Sequence, residues 1–197
     1  NVLAATPFLQ TNRPYLAWVA TDWQGDRQDR VKHFPFVRRL LDTCVNGPII
    51  RRLEKRLLRE GHVLSLSAYT ARMLGDIAGP TFHKTLLPVA VDSELFVPRP
   101  AARVAGRLGF AGRFNDPRKN IGLLLRATAQ LREDGHEGTA LLMGDTEEPD
   151  ISQLIAELGI ADRVKIESGL TRSEMRDRLQ TLDVFVLPSH QEGLCIA

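Results

Sequence analysis

Residues 107–112 read RLGFAG and residues 139–144 read TALLMG, and each is a short apolar run that stops at a glycine. Two similar runs follow, VKIESG at 164–169 and DVFVLP at 183–188. Between these runs, apolar residues recur three and four positions apart, which is the spacing of amphipathic helices. Short apolar runs that alternate with helical segments are typical of βαβ units. The second half of the chain is therefore predicted to form a parallel sheet of four strands with three crossover helices.

The first half carries the same alternation less regularly. Strands are predicted from Tyr15 to Ala20, from Val63 to Leu66 and from Thr85 to Leu87, and a charged amphipathic helix from Ile50 to Glu60. Ser67 is a candidate N-cap of a further helix. In the second half, Asp116-Pro117 or Asn120 could cap the first helix, and Thr171 with Glu174 forms the capping-box pattern of the third.

A proline-rich stretch separates the two halves. It contains Pro98 and Pro100, and it favours a linker between two domains. The predicted organisation is an α/β protein with two Rossmann-like domains, at 1–98 and 106–197, joined by a linker at 99–105. Because the chain does not begin with Met, we expect it to be cut short. Its N-terminus lacks a signal-peptide pattern, and the family resemblance given below implies that both domains are incomplete.

The composition excludes several classes of protein. An apolar content of 43% and a charged content of 25% are ordinary for a globular protein. A formal net charge of +2 does not predict a nucleic-acid partner. No apolar run approaches the ~18 residues that span a bilayer. The two cysteines, Cys44 and Cys195, lack metal or disulfide spacing and favour a reducing, cytoplasmic compartment.

Two polar loops follow strands that a Rossmann-like topology places side by side. Ligands of such sheets bind beyond the carboxyl ends of the strands, where the strand order reverses. The first loop, Gly112 to Asn120, contains Arg113 and Lys119, and cations beside a helix N-terminus suit a diphosphate. A merely solvated loop is the alternative. No GxGxxG or P-loop pattern is present.

The second loop, Pro188 to Cys195, reads PSHQEGLC. The carboxylate of Glu192 could accept hydrogen bonds from sugar hydroxyls, and Gly193 would let the backbone approach a ligand closely. The backbone N–H groups of Gly193 and Leu194 could meet phosphate, and His190 is a candidate ligand contact by its place in the loop. A plain strand-to-helix turn with a capping glutamate is the alternative.

These pieces together resemble a known family. GFAGRFNDPRKN at 109–120, LLMGD at 141–145, VKIESGL at 164–170 and DVFVLPSHQEG at 183–193 are similar to the donor-binding domain of retaining glycosyltransferases in the glycogen-synthase and sucrose-synthase-like superfamily. The bacterial "group 1" family is the nearest match. Residues 50–98 carry a weaker similarity. The resemblance implies a GT-B type fold and transfer of a sugar from a nucleoside-diphosphate sugar to an acceptor with retained configuration.

The resemblance also implies roles for individual residues. Arg113 and Lys119 would bind the donor diphosphate and stabilise the departing nucleoside diphosphate, and Glu192 would contact the transferred sugar. Two further positions, Gly169 and Leu170, would lie near the base. Backbone contacts to the sugar and phosphate would come from Gly193, Leu194 and Cys195. The family implies no obligatory metal or cofactor.

The sequence also departs from the family pattern. The family places a second glutamate eight positions after the first, which here falls past Ala197. Where many relatives carry a histidine after the first strand, this chain has Thr21-Asp22-Trp23, so Asp22 is a candidate acceptor-side contact. The acceptor is a sugar, a lipid or another small molecule. Relatives that act on lipids, and the basic residues of 50–59, suggest contact with the inner face of the membrane.

Two other functions compete with sugar transfer. A truncated or degenerate module that binds nucleotide or a partner without catalysis agrees with the missing second glutamate. Another enzyme of the same fold, such as a nucleotide-sugar epimerase, requires a catalytic histidine and carboxylate pair that the sequence does not show. An NAD-dependent oxidoreductase is disfavoured because the glycine fingerprint is absent.

Overall fold

The computed structural model describes residues 2–11, 13–20, 27, 31, 34–144, 148–190 and 192. Contacts along the chain divide these residues into two compact units. The first unit holds the residues up to Ala90 together with Glu192, and the second begins at Val91.

The first unit is a parallel three-stranded sheet with helices. Its strands are β1 (Leu16–Val19), β2 (His62–Ser65) and β3 (Lys84–Leu86), in the order β1-β2-β3. Its helices are α1 (Thr6–Thr11), α2 (Phe36–Leu41), α3 (Gly47–Glu60) and α4 (Ala68–Ala78), with a 3₁₀ turn at Val2–Ala5 and a π-helical turn at Asp42–Asn46 that joins α2 to α3.

Local sequence signals account for these elements. Helix α3 buries Leu57 and Leu58, which are fully inaccessible, while its other faces are charged and exposed. Ser67 caps α4, because its hydroxyl accepts a hydrogen bond from the backbone N–H of Thr70 at 3.1 Å. The core lies between the sheet and the helices α3 and α4, and it is formed by Ala17, Val19, Leu57, Leu58, Val63, Leu74 and Ala78.

The second unit is a parallel four-stranded sheet with helices on both faces. Its strands are β4 (Arg107–Ala111), β5 (Thr139–Gly144), β6 (Val164–Ser168) and β7 (Val184–Phe185), in the order β6-β5-β4-β7. Its helices are α5 (Ile121–Glu133), α6 (Pro149–Glu157) and α7 (Arg172–Gln180), with 3₁₀ turns at Pro100–Ala102 and Pro117–Lys119. The predicted fold class, α/β with two parallel Rossmann-like sheets, is confirmed.

Side chains alternate between the two faces of this sheet. On one face, Phe110 and Leu142 pack against Leu124 and Leu125 of α5 and against Ile155 of α6. On the other face, a second cluster packs against α7; it consists of Ala111, Leu141, Met143 and Leu182. Each fully buried leucine contributes roughly 1.5–3 kcal/mol. This two-sided burial explains the continuous apolar runs of the strands.

The structure differs from the prediction before residue 50. The sequence predicted a helix that starts at Ile50, whereas α3 starts at Gly47 and is continuous with the π-helical turn and α2. Pro48 directly follows the π-helical turn, where the Gly47 N–H donates to the Asp42 carbonyl oxygen five residues back, so the regular i→i−4 pattern that a proline breaks is already interrupted. Strand β7 is also shorter than the predicted strand from Asp183 to Leu187.

Residues 91–104 make their contacts with the second unit. Arg172 forms an ion pair with Asp92 at 3.7 Å, and the side chain of Gln180 donates a hydrogen bond to the carbonyl oxygen of Val97 at 2.7 Å. The division of the chain therefore lies between Ala90 and Val91 in these contacts. The predicted domain bounds of 1–98, 99–105 and 106–197 stay a prediction.

Candidate functional site

The candidate site lies where β4 and β7 end. These two strands are neighbours, with Leu108 opposite Val184 and Gly109 opposite Phe185. The adjacency of the first and fourth strands, expected from topology, is confirmed. Because the strands are parallel, the loops that follow them leave the same edge of the sheet, which is where ligands of open α/β sheets bind.

Two hydrogen bonds join these loops. The side-chain Nδ2 of Asn120 donates to the carbonyl oxygen of Pro188 at 3.2 Å. The backbone N–H of His190 donates to the carbonyl oxygen of Arg118 at 2.9 Å. The loop after β4 and the start of the loop after β7 therefore form one surface.

Phe114 anchors the first loop to the hydrophobic core. Its side chain is 6% exposed, and its ring centroid lies 6.4 Å from that of Phe110. The ring covers Gly144, the last residue of β5, so closely that a Cβ atom there would lie 2.6 Å from the ring. Arg113, the preceding residue, is thereby held at the surface at the carboxyl edge of the sheet.

The two arginines of this loop differ in their contacts. The guanidinium of Arg118 binds Asp116 through two contacts, Nε to Oδ1 at 3.0 Å and Nη2 to Oδ2 at 2.8 Å. These hydrogen bonds from Arg118 outweigh the effect of burial and hold the pKa of Asp116 below its ordinary value. Arg113 is exposed and has no hydrogen-bond or ion-pair partner within the described part of the chain. Its guanidinium is therefore available to an anionic ligand.

Lys119 lies half-buried at the end of the 3₁₀ turn. Its Cε atom would lie 3.8 Å from a Cβ atom on Gly112, so its aliphatic chain runs back toward the end of β4. The side chain therefore starts in the loop and reaches the same end of the sheet as Arg113. A phosphate placed there would meet a guanidinium and an ammonium group within one loop.

Gly169 and Leu170 follow β6 at the same edge of the sheet. Gly169 has a φ of 67°, and nothing lies within 4 Å of where its Cβ would be. Leu170 is partly buried against the cluster formed with α7. An open glycine next to an apolar side chain is compatible with a flat nucleobase, although β5 and β4 separate this loop from β7 in the sheet.

The other predicted site residues are only partly described. Gly193, Leu194, Cys195 and Asp22 lie outside the described residues. Glu192 is half-buried, and its backbone contacts assign it to the first unit. Its place in the donor loop stays a prediction. The side chain of His190 is exposed, and its backbone joins the two loops.

Two features of the site were not found in the sequence. The ring of Phe114 supports the loop, and the amide of Asn120 connects it to Pro188. The sequence carries a weak signal for the left-handed turn at Asn120, because asparagine is one of the few residues that tolerate it, but none for the bond to Pro188.

The described residues contain no group of three or more His, Cys, Asp or Glu side chains arranged as metal ligands. Among the helices of that same part of the chain, none is both long and apolar enough to cross a bilayer.

The fold and the two loops together define a class of protein. It is an α/β protein with parallel sheets, in which the second unit carries basic side chains beyond β4 and β7, where its strand order reverses. Residues 105–197 match the family model described as Glycosyl transferases group 1. This part of the chain, residues 105–197, belongs to the group 1 glycosyltransferase family.

Curated relatives carry transferase names. The chain is 32% identical over 157 residues to an MMP alpha-(1->4)-mannosyltransferase of Mycolicibacterium hassiacum, covering 76% of this chain and 38% of the relative. It is 27% identical over 157 residues to a GDP-mannose-dependent alpha-(1-6)-phosphatidylinositol monomannoside mannosyltransferase of Mycolicibacterium smegmatis, covering 74% and 41%. The chain thus spans about two fifths of the length of these relatives.

A solved structure shows the same fold. The sucrose-phosphate synthase of Thermosynechococcus elongatus superposes with a TM-score of 0.64 at 22% identity, over 88% of this chain and 49% of that one. Both predictions, the group 1 family and the GT-B type of α/β fold, are confirmed.

Proposed function

We propose that the second unit binds the diphosphate of a nucleoside-diphosphate sugar, and that the protein transfers the sugar to an acceptor with retained configuration. The observation that carries the proposal is the hydrogen-bonded pair of loops beyond β4 and β7, which presents the exposed guanidinium of Arg113 without a partner among the described residues. Membership of the group 1 family supports it.

Electrostatic stabilisation of the leaving group is the chemistry that this loop suits. Negative charge develops on the departing diphosphate as the glycosidic bond breaks, and preorganised cations lower the barrier at that point. Arg113 can grip two phosphate oxygens, and Lys119 supplies a compact charge beside them. The proposed mechanism needs no metal ion or cofactor, because these two side chains carry the positive charge. Glu192 is proposed to contact the sugar, with the backbone of 193–195 beside it.

Guanine is the first base to test. One relative is named for its dependence on GDP-mannose. Gly169 and Leu170 are the proposed neighbours of the base, since an open glycine and an apolar side chain follow β6. The acceptor stays unspecified as a sugar, a lipid or another small molecule, and Asp22 is the proposed acceptor-side residue.

We also propose contact of the first unit with an anionic lipid surface at the inner face of the membrane. Four exposed apolar side chains recur every four residues along α2, the π-helical turn and α3: Val37, Leu41, Val45 and Ile49. Exposed basic side chains lie on the same helices, among them Arg38 and Arg39. An apolar stripe beside basic residues is the pattern of helices that lie in a lipid interface.

The experiment for the lipid contact is cosedimentation with vesicles. Binding to vesicles that contain phosphatidylglycerol, lost in Leu41→Asp and weakened by salt, supports the contact. Equal binding to neutral phosphatidylcholine vesicles, or none to either, refutes it.

A module that binds nucleotide without catalysis is the second candidate function. The specific observation in its favour is that Arg113 and Lys119 suit a diphosphate whether or not a sugar is attached to it, so they support nucleotide binding as much as transfer. Nucleotide binding without turnover, in a chain extended to the full length of its relatives, would select this candidate.

The experiment for the donor site is calorimetric titration of the chain with GDP, UDP and ADP. Arg113→Ala and Lys119→Ala are each expected to weaken the preferred nucleotide at least tenfold, because a charge-assisted hydrogen bond is worth roughly 1.5–3 kcal/mol. Arg126→Ala removes the same charge from an exposed position on α5 and serves as the control. A folded chain that binds no nucleotide, or equal weakening by all three variants, refutes the donor site.

A further inference from the structure

Asn120 has an unusual backbone conformation. Its φ is 49° and its ψ is 42°, which is the left-handed region, and among the described residues it alone combines a positive φ with a side chain. Asparagine is one of the few residues that adopt this region readily. The conformation ends the 3₁₀ turn Pro117–Lys119 and starts α5, with the N–H of Leu123 donating to the Asn120 carbonyl oxygen at 3.0 Å.

The side chain of Asn120 does not cap the helix that it precedes. An asparagine at this position commonly accepts a hydrogen bond from the first turn, and here that bond is absent. Its Nδ2 atom instead donates to the carbonyl oxygen of Pro188, 68 residues further along the chain. The amide is thus used between two loops rather than within one helix.

The second bond between the loops depends on the same turn. The carbonyl oxygen of Arg118, which accepts from the His190 N–H, lies two residues before Asn120 in the 3₁₀ turn. The Asn120 amide and the Arg118 carbonyl oxygen therefore bind Pro188 and His190 from a single short segment. This pair of bonds fixes the register of one loop against the other.

We infer that Asn120 is a positioning residue for donor binding. It holds the segment with Arg113 and Lys119 in register with the loop after β7, so that both loops face one ligand, and it does not itself contact the donor. The inference rests on the proposed donor site and extends it to a residue outside the cation pair.

Three substitutions separate the left-handed backbone conformation of Asn120 from the hydrogen bond that its side chain donates. Asn120→Asp keeps the size and the tolerance for the left-handed region, but an ionised carboxylate cannot donate to the Pro188 carbonyl oxygen. Asn120→Gly keeps the backbone freedom and removes the side chain. Asn120→Ala loses both and should also destabilise the chain.

The first measurement is amide hydrogen exchange of His190 in the nucleotide-free chain. Asn120→Asp and Asn120→Gly are expected to speed this exchange roughly two- to tenfold, the range that one neutral hydrogen bond corresponds to. The amide of Leu142 in the buried strand β5 should exchange at an unchanged rate. Unchanged exchange at His190 in both variants overturns the inference.

The second measurement is nucleotide affinity of the same variants. We expect it to fall roughly two- to tenfold in both, while urea unfolding shows that both variants remain folded. Faster exchange with unaltered affinity overturns the role in donor binding. If the unmodified chain binds no nucleotide while His190 still exchanges faster in the variants, the donor site fails and with it the role of Asn120 in donor binding, but the link between the loops stands.

Discussion

Substitution of Gly144 by alanine tests how the core supports the candidate site. Gly144 ends β5, and the Phe114 ring lies directly over it. A Cβ atom at this position would lie 2.6–2.7 Å from three ring carbons. Carbon atoms in contact prefer about 3.5–4.0 Å, so the ring must move by about 1 Å.

The cost follows from the burial of that ring. Phe114 is 6% exposed and belongs to the cluster that contains Phe110, so an inward shift is blocked. Extra atoms in a packed core typically cost about 1–3 kcal/mol. In a domain of about 100 residues, a loss of about 2 kcal/mol lowers the Tm by roughly 8–16 °C. The outward shift also displaces Arg113, so nucleotide binding should weaken.

The assay is urea unfolding followed by circular dichroism. Tryptophan fluorescence provides an internal reference, since Trp18 and Trp23 both precede the second unit. Gly75→Ala in α4 is the matched control, because its Cβ would lie at an ordinary 3.5 Å from Phe82 and alanine favours helices. Phe114→Leu, added to the Gly144→Ala variant, should relieve the clash with the new Cβ atom and recover part of the lost stability. A Gly144→Ala chain as stable as the unmodified one refutes the reasoning.

Three further predictions concern single interactions. Leu142→Ala empties a fully buried position and should lower the free energy of unfolding by about 2–5 kcal/mol in urea titration; a loss below about 1 kcal/mol would contradict this packing. Thr171→Ala breaks the capping box of α7 and should cost about 1 kcal/mol, whereas Thr171→Ser should be nearly neutral in the same titration. Asp116 has a folded pKa below its ordinary 3.8, so its ionic contribution to stability is present above that pH and is lost as pH falls through the folded pKa. The stability difference between the unmodified chain and Asp116→Asn, measured by urea unfolding from pH 6 to pH 2, should therefore shrink below about pH 4; a constant difference would argue against the ion pair with Arg118.

Much of the second unit was predictable from its sequence. The bounds of β4 and β6 match the predicted strands, because both are apolar runs that end beside a glycine. Helix α2 was missed, since Asn46-Gly47-Pro48 is a typical turn signal. The signal misleads because the π-helical turn at Asp42–Asn46 already interrupts the regular hydrogen-bond pattern directly before Pro48, so the helical backbone continues through it. Local patterns predict elements well where burial and turn chemistry agree.

The meeting of the two loops was predictable, but the contacts within them were not. Parallel connections alone bring the ends of β4 and β7 together. Sequence could not separate Arg113 from Arg118, since only the fold shows that Asp116 engages the latter. The bond from Asn120 to Pro188 joins residues too far apart in sequence for any local pattern to indicate it.

Each unit encloses a hydrophobic core of its own, around Leu57 and Leu74 in the first and around Phe110 and Leu142 in the second. A core substitution in one unit therefore needs no compensating change in the core of the other. We expect recombination near Ala90 to yield folded chimaeras with family members, in which one partner supplies each half. With the donor site proposed for the second unit, such a division would let the donor preference diverge in evolution independently of the first unit.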